Sequence, residues 1–312
     1  MQAAIDVGSN TVRLLLGHLE NGRVVPHRYH RAITRLGGGA TAEKGLAPAA
    51  VERTLFALEA MAAIVSETGV SRCRAVGTEA LRRAVNGGAF AELVRSRTGI
   101  FLEIIDGEEE ARLSALGVLA DLDPRPESCL IFDLGGGSTE FILWQDGKVL
   151  FQKSYPLGIV SLCEQWPDEA GQKEHIQEIL RRLRSDLRDA GEEETVLSEG
   201  CRIVGTAGTV TTLAALLLEM TEYDRGRINN LHLPRKDLLP LLDHLSELSP
   251  QQREDLPGME KGRGDLIVPG LLSVLAILDT FHRNELVAID SGLLEGVLLS
   301  AAGEQGEAID IP

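Results

Sequence analysis

One short pattern occurs twice in the 312 residues and limits the possible folds more than any other feature. "AAIDVGSNT" (3–11) and "LIFDLGGGST" (130–139) each run an apolar strand into Asp, one apolar residue, Gly and a small polar turn, then into a second strand. Asp6 and Asp133 mark the two copies, 127 residues apart, and each copy leads to a hairpin dipeptide, Asn21-Gly22 or Asp146-Gly147. A duplicated strand–turn–strand unit predicts two related domains facing each other across a cleft. The clearest linker is "DLDPRPES", with Pro124 and Pro126. The expected domains are therefore 1–123 and 124–312, and the last helix, about 292–303, either closes the second or packs back on the first.

The remaining pattern alternates strand and helix. "PAAVERTLFALEAMAAIVSETG" (48–69) reads as a helix opened by Pro48 and closed by Gly69. "CRAVGTEALRRAVNG" reads as a strand at 73–77 entering a helix that stops at Asn86-Gly87, and "FLEIIDGEEEARLSALGVLA" repeats that order. A third loop, "IVGTAGTVTTLAALLLE" (203–219), also runs from strand to helix. Such alternation predicts an α/β fold with mixed sheets.

Composition excludes several classes of function. A formal charge of −16 and only 4% aromatic residues argue against nucleic acid, which calls for a basic surface and stacking rings. Cys73, Cys129, Cys163 and Cys201 form no CxxC pair, as expected of reduced thiols in a cytoplasmic protein. The sequence opens directly on a strand pattern, with no secretory signal expected. The longest apolar run, "LIVPGLLSVLAIL" (266–278), is shorter than the roughly 20 residues that span a bilayer, so no membrane partner is expected.

Glycine ends three strands: Gly8, then Gly135, Gly136 and Gly137, then Gly205 and Gly208. Bare backbone lets amides approach an anion, and Ser9, Thr11, Ser138, Thr139, Thr206 and Thr209 add hydroxyls. Neither GxxxxGK[ST] nor a helix-opening GxGxxG is present, so these are not P-loop or dinucleotide sites. Asp133 and Glu140 flank the second turn and offer the hard oxygens that suit Mg²⁺, which often uses only one or two carboxylates. Asp6 is the equivalent acid of the first copy and a further metal candidate.

"DGEEEARLSALG" (106–117) places three carboxylates at a helix start. With Leu113, Leu116 and Ala120 as the apolar stripe, Glu108 points away, Glu109 falls within it and Glu110 lies on its flank. Helical geometry excludes Glu108 from a site and leaves Glu109 and Glu110 open. The cations of interest are Arg13, on an otherwise apolar strand, Arg82, Arg83 and Arg263. Arg13 is equally well read as half of an ion pair. The seven histidines show no metal or triad spacing.

At this point the motifs resemble a known family. "IDVGSNTVRLL", "VGTEALRRAVN", "EIIDGEEEARLSALGV", "IFDLGGGSTEF", "YPLGIVSL", "IVGTAGTVTTLAAL", "RGDLIVPG" and "GLLEG" run nearly end to end. They are similar to the exopolyphosphatase/guanosine pentaphosphate phosphohydrolase (Ppx/GppA) family, within the actin, sugar kinase and Hsp70 superfamily. The resemblance implies two ribonuclease H-like domains around a cleft. It also implies Mg²⁺-dependent (or Mn²⁺-dependent) release of terminal phosphate from polyphosphate or pppGpp, with guanosine penta- or tetraphosphate as an anionic ligand. By position, Glu110 resembles the base that activates water, and Asp133 and Glu140 resemble the metal ligands. Ser9, Asn10, Gly135, Gly136, Gly137, Ser138, Thr139, Gly208 and Thr209 resemble phosphate binders, and Arg13 and Arg263 the neutralising cations.

Three departures from the family pattern bear on that expectation. The sequence lacks the C-terminal HD-like extension of larger members, which weakens the expected grip on long polyphosphate. "GLLEG" puts Leu294 where a basic residue is common, and "RINNLHL" (227–233) replaces a usual "VHG" segment. The competing readings are an actin-like kinase, which the "GEEEARL" helix opposes, and a non-catalytic regulator that binds (p)ppGpp or polyphosphate. A homodimer is compatible with the sequence, although no residue named here requires one.

Overall fold

A computed structural model describes residues 1–20, 22–40 and 44–303. Asn21, half of the first expected hairpin turn, lies outside them. Contacts divide the chain into two compact units, one of Met1–Ala120 with the segment from Gly292 onward, the other of Asp121–Ser291.

The first unit holds β1 (Gln2–Val7), β2 (Thr11–Glu20), β3 (Arg23–Ile33), β4 (Arg72–Gly77) and β5 (Leu102–Ile104), in the order β3-β2-β1-β4-β5. The first three strands are antiparallel neighbours, and β4 and β5 continue the sheet in parallel with β1. Its helices are α1 (Pro48–Glu67), α2 (Glu79–Arg83), α3 (Gly87–Thr98) and α4 (Gly107–Asp121). The run "VRLLL" is apolar because both faces of β2 are covered. Val12, Leu14 and Leu16 join the core beneath α1 and α3, while Leu15 joins a second core with Leu113 of α4. Asn86-Gly87 proves to be a start rather than a stop. The helix ends at Arg83, and Asn86 precedes α3 while its Oδ1 accepts the Leu46 amide at 2.8 Å.

The second unit holds β6 (Ser128–Leu134), β7 (Thr139–Gln145), β8 (Lys148–Tyr155), β9 (Cys201–Thr206), β10 (Leu231–Pro234) and β11 (Glu285–Ala288). Their order, β10-β11-β9-β6-β7-β8, contains the first sheet again: β8-β7-β6-β9-β11 repeats β3-β2-β1-β4-β5 with the same parallel and antiparallel neighbours. Asp146 (φ 48°) and Gly147 (φ 81°) give the left-handed turn that a two-residue hairpin needs. Both long hairpins also carry a register shift at one shared point of the repeat, Leu16/Gly17 and Leu143/Trp144.

The helices of this unit are α5 (Ile159–Gln165), α6 (Glu169–Asp189), α7 (Glu193–Leu197), α8 (Ala207–Leu217), α9 (Arg225–Ile228), α10 (Arg235–Glu247), α11 (Pro250–Glu254) and α12 (Ile267–Thr280). Pro269 falls in the first turn of α12, where its missing N–H leaves no internal bond unmade. The final helix, α13 (Leu293–Gly303), packs in the first unit against β1 and β2. Backbones of α13 and α4 meet closely: a Cβ on Gly296 would lie 1.8 Å from the Leu113 carbonyl oxygen. This contact fixes the helix that carries Glu110. No helix of the described residues is long and apolar enough to cross a membrane.

Candidate active site

Both glycine hairpins close in the same way. The Gly8 amide donates to the Thr11 carbonyl at 2.9 Å, and the Gly135 amide donates to the Ser138 carbonyl at 3.0 Å. Segments behind each turn then occupy its carbonyls. Ser9 O accepts from Gly37, and Asn10 O from Thr34 and Arg35. In the second copy, Gly135 O accepts from Ile159 and Gly136 O from Val160. The amides of Ser9, Asn10, Gly136, Gly137 and Ser138 have no acceptor among the described residues. A run of amides whose carbonyls are tied back makes an anion cradle. Gly158 allows the second cradle to sit this close: a Cβ there would lie 2.1 Å from the Gly137 carbonyl carbon.

The side chains beside the two turns differ. In the first, Asp6 stands opposite Arg13 in the β1–β2 register, and Asp6 Oδ2 accepts from Arg13 Nε at 2.8 Å and Nη2 at 2.6 Å. Of the two readings of Arg13, the ion pair is therefore present. Asp6 Oδ1 and both amide atoms of Asn10 are buried without a hydrogen-bond partner. In the second, Asp133 stands opposite Glu140, and both are buried, at 8% and 1% exposure. Like charges directly opposed across a sheet are destabilising unless a cation compensates them.

The register shift in β7–β8 keeps that pair acidic. The tight turn pairs Gln145 with Lys148, and without the shift Lys153 would fall opposite Glu140. The shift brings Ser154 there instead. Glu140 Oε1 accepts from Ser154 Oγ at 2.6 Å and Ser138 Oγ at 2.8 Å, while Lys153 pairs with Asp186 at 2.9 Å. Ser154 is a partner of Glu140 that sequence reasoning missed, because its signal is the bulge. Thr206 continues the row, next to Asp133 in the β6–β9 register.

Two carboxylates among hydroxyls form an all-oxygen donor set. No cluster of three or more His, Cys, Asp or Glu side chains able to hold a metal exists among the described residues. The carboxylates of Asp133 and Glu140 are hard oxygens of the kind that Mg²⁺ takes, an ion that often uses one or two carboxylates and keeps several waters.

On α4, Glu108 is exposed, Glu109 half-buried and Glu110 buried at 7% exposure. Glu109 is engaged by Arg112 at 2.7 Å and Arg74 at 3.4 Å. The hydrogen bond from Arg112 is the main cause that lowers its carboxyl below the usual range, with Arg74 adding to it. Glu110 Oε2 accepts from Arg82 Nη1 at 3.0 Å. Arg82 also donates to Ile105 O and to Glu79. Burial lowers the Arg82 pKa, but Glu110 and then Glu79 outweigh it and the net shift is upward.

The third loop separates its two glycines. Gly205 lies inside β9, where a Cβ would strike Phe132, Leu286 and Val210, so its bareness serves the core and not an anion. Gly208 instead receives a cation: a Cβ there would lie 1.9 Å from Arg263 Nη2. Arg263 is buried and donates through Nε to Glu260 at 2.5 Å. Thr209 packs on Gly270 of α12, and Thr139 donates to the Leu157 carbonyl.

Two departures from the family pattern also find their places. Leu294 is buried in the apolar core of the first unit with Leu15 and Leu113. Asn229 and Asn230 of "RINNLHL" brace the chain, Asn229 Oδ1 accepting the Asp290 amide and Asn230 Oδ1 the Asp123 amide.

The Ppx/GppA phosphatase family model matches residues 24–305. Exopolyphosphatase 2 of Mycobacterium tuberculosis is 34% identical, covering 96% of this chain and 98% of the relative. A putative exopolyphosphatase of Haemophilus influenzae is 28% identical over 96% and 90% of the two chains. The crystal structure of the Aquifex aeolicus Ppx/GppA family member superposes with a TM-score of 0.79, at 31% identity over 98% of each chain. The two mixed sheets are those of the actin-like ATPase fold. By sequence along nearly its whole length and by fold, the chain belongs to the Ppx/GppA phosphatase family.

Proposed function

We propose that the protein hydrolyses the terminal phosphoanhydride of inorganic polyphosphate, and by the same chemistry that of pppGpp, releasing orthophosphate. The observation that carries this reading is the opposed pair Asp133 and Glu140 beside three amides that have no acceptor of their own. Such a pair offers hard oxygens to a cation, and such amides offer donors to an anion. A metal-bound phosphate chain satisfies both. Relatives named as exopolyphosphatases favour the same substrate class.

In this reading Asp133 and Glu140 hold Mg²⁺ or Mn²⁺, and the ion supplies charge neutralisation at the phosphoryl oxygens. The amides of Gly136, Gly137 and Ser138 orient the phosphates, Ser9 and Asn10 bind the anion in the first unit, and Arg263 offsets its charge. Glu110 accepts one proton from water as the water oxygen bonds to the terminal phosphorus. The bridging P–O bond breaks, and the shortened chain leaves as a phosphate oxyanion. Arg82 is a positioning residue that fixes one Glu110 oxygen.

The test is orthophosphate release from tripolyphosphate, long-chain polyphosphate, pppGpp and ATP, with and without Mg²⁺. Glu110→Gln is expected to lower kcat by about 10²–10⁴-fold with an unchanged circular dichroism spectrum. Undiminished release by that variant would sink the assignment.

A further inference from the structure

Two hydroxyls converge on one oxygen of Glu140. Ser154 Oγ and Ser138 Oγ both donate to Oε1, at 2.6 and 2.8 Å. A carboxylate offers about four lone-pair sites, half of them on each oxygen. The sites on Oε1 are therefore taken by hydroxyl protons. Ser138 comes from the turn before β7 and Ser154 from β8, so two separate segments hold the same atom. Glu140 and Ser138 are both buried, which keeps bulk water from competing for these bonds.

The bulge decides what kind of donor Glu140 meets. Lys153, its neighbour in an unshifted register, is engaged instead by Asp186 of α6 at 2.9 Å. Tyr155 Oη donates to the same Asp186 oxygen at 2.6 Å, so the displaced ammonium shares a fixed acceptor. An ammonium beside Glu140 would neutralise it. A serine hydroxyl takes up a lone pair and leaves the negative charge in place.

We propose that Ser154 and Ser138 make Glu140 a one-oxygen ligand and thereby bias the ion site toward Mg²⁺ and against Ca²⁺. The proposal rests on the metal-dependent reading above, and every residue it uses lies in the second unit. Mg²⁺ needs few protein oxygens and keeps several waters in a tight octahedron. Ca²⁺ takes about six to eight oxygens at longer range and gains from a carboxylate that presents both. With Oε1 held by the serines, an ion at Glu140 takes Oε2 alone, and that gain is withheld from Ca²⁺. The serine hydroxyls act through Glu140 and are positioning groups. Ser154 is the one to vary, because Ser138 also lends its amide to the cradle.

The experiment titrates metal-stripped protein with Mg²⁺ and with Ca²⁺ by calorimetry, without substrate, in wild type, Ser154→Ala, Ser154→Thr and Ser154→Cys. Ser154→Ala releases one lone pair of Oε1. It is expected to weaken Mg²⁺ about tenfold and to strengthen Ca²⁺, so the ratio of the two affinities falls by more than about tenfold. Ser154→Thr keeps the hydroxyl and should hold the ratio within about threefold of wild type. Ser154→Cys keeps the volume but offers only a weak S–H donor, and should lower the ratio even if Ser154→Ala fails to fold. An equal loss for both ions, or an unchanged ratio, would show that Ser154 merely supports the strand and would overturn the proposal while the metal reading stands. Should wild type bind neither ion, the metal reading falls and the proposal with it.

Discussion

The β1–β2 and β6–β7 hairpins share strand order, turn closure and the position of the register shift that follows, yet they carry opposite charge at equivalent points. Where Asp6 meets Arg13, Asp133 meets Glu140. The first acid is paired with an arginine across the strands, whereas the second stands opposite another carboxylate. In the proposed function one backbone solution would serve an anion-taking hairpin and a metal-taking hairpin, and the side chain opposite the aspartate would decide which.

The comparison can be broken at the support of each turn. Gly158→Ala drives a Cβ to 2.1 Å from Gly137 backbone, whereas the equivalent change behind the first turn, Gly37→Ala, brings one only to 3.0 Å from Ser9 Cβ, a contact that a shift of a few tenths of an ångström relieves. Displacing the second turn by a fraction of an ångström should lower kcat about 10²-fold, while Gly37→Ala stays within about threefold. Steady-state kinetics on tripolyphosphate check both, and an equal response would show that the two turns do not differ in function.

Next in size is the ion pair of the first hairpin. Arg13→Gln leaves the buried Asp6 without its partner, and should destabilise the protein by about 2 kcal/mol, less than a fully buried pair because Arg13 is partly exposed. Urea denaturation measures this. Removing one acid of the second hairpin, by Glu140→Gln, should not destabilise metal-free protein, because it relieves opposed like charges.

A smaller effect sharpens the role of the bulge. Ser154→Lys restores an ammonium opposite Glu140, the partner that an unshifted register would have placed there. Metal affinity, read by titration calorimetry, should weaken about tenfold through charge competition. Unchanged affinity would mean that Glu140 does not serve the ion.

Much of this was legible in the sequence. The repeated Asp-x-Gly turn revealed two related sheets, because a strand that breaks into glycine beside an acid is a local signal. Register was not legible. That Arg13 pairs with Asp6 emerged only once β1 and β2 were paired. The one-residue shifts that bring Ser154 to Glu140 and Arg31 to Arg13 leave no mark in composition. Gly205 and Gly208 look alike in sequence, and only packing separates a core glycine from one that receives Arg263. Glu109 and Glu110 differ by a 100° turn of helix, and it is Arg112 and Arg74 that engage Glu109 in a surface network.

The most direct measurement is Mn²⁺ binding followed by electron paramagnetic resonance in wild type, Glu140→Gln and Asp6→Asn. The account predicts one ion per chain in wild type, affinity lowered by at least about 10²-fold in Glu140→Gln, and an ion retained in Asp6→Asn. An ion lost with Asp6→Asn and kept in Glu140→Gln would contradict it.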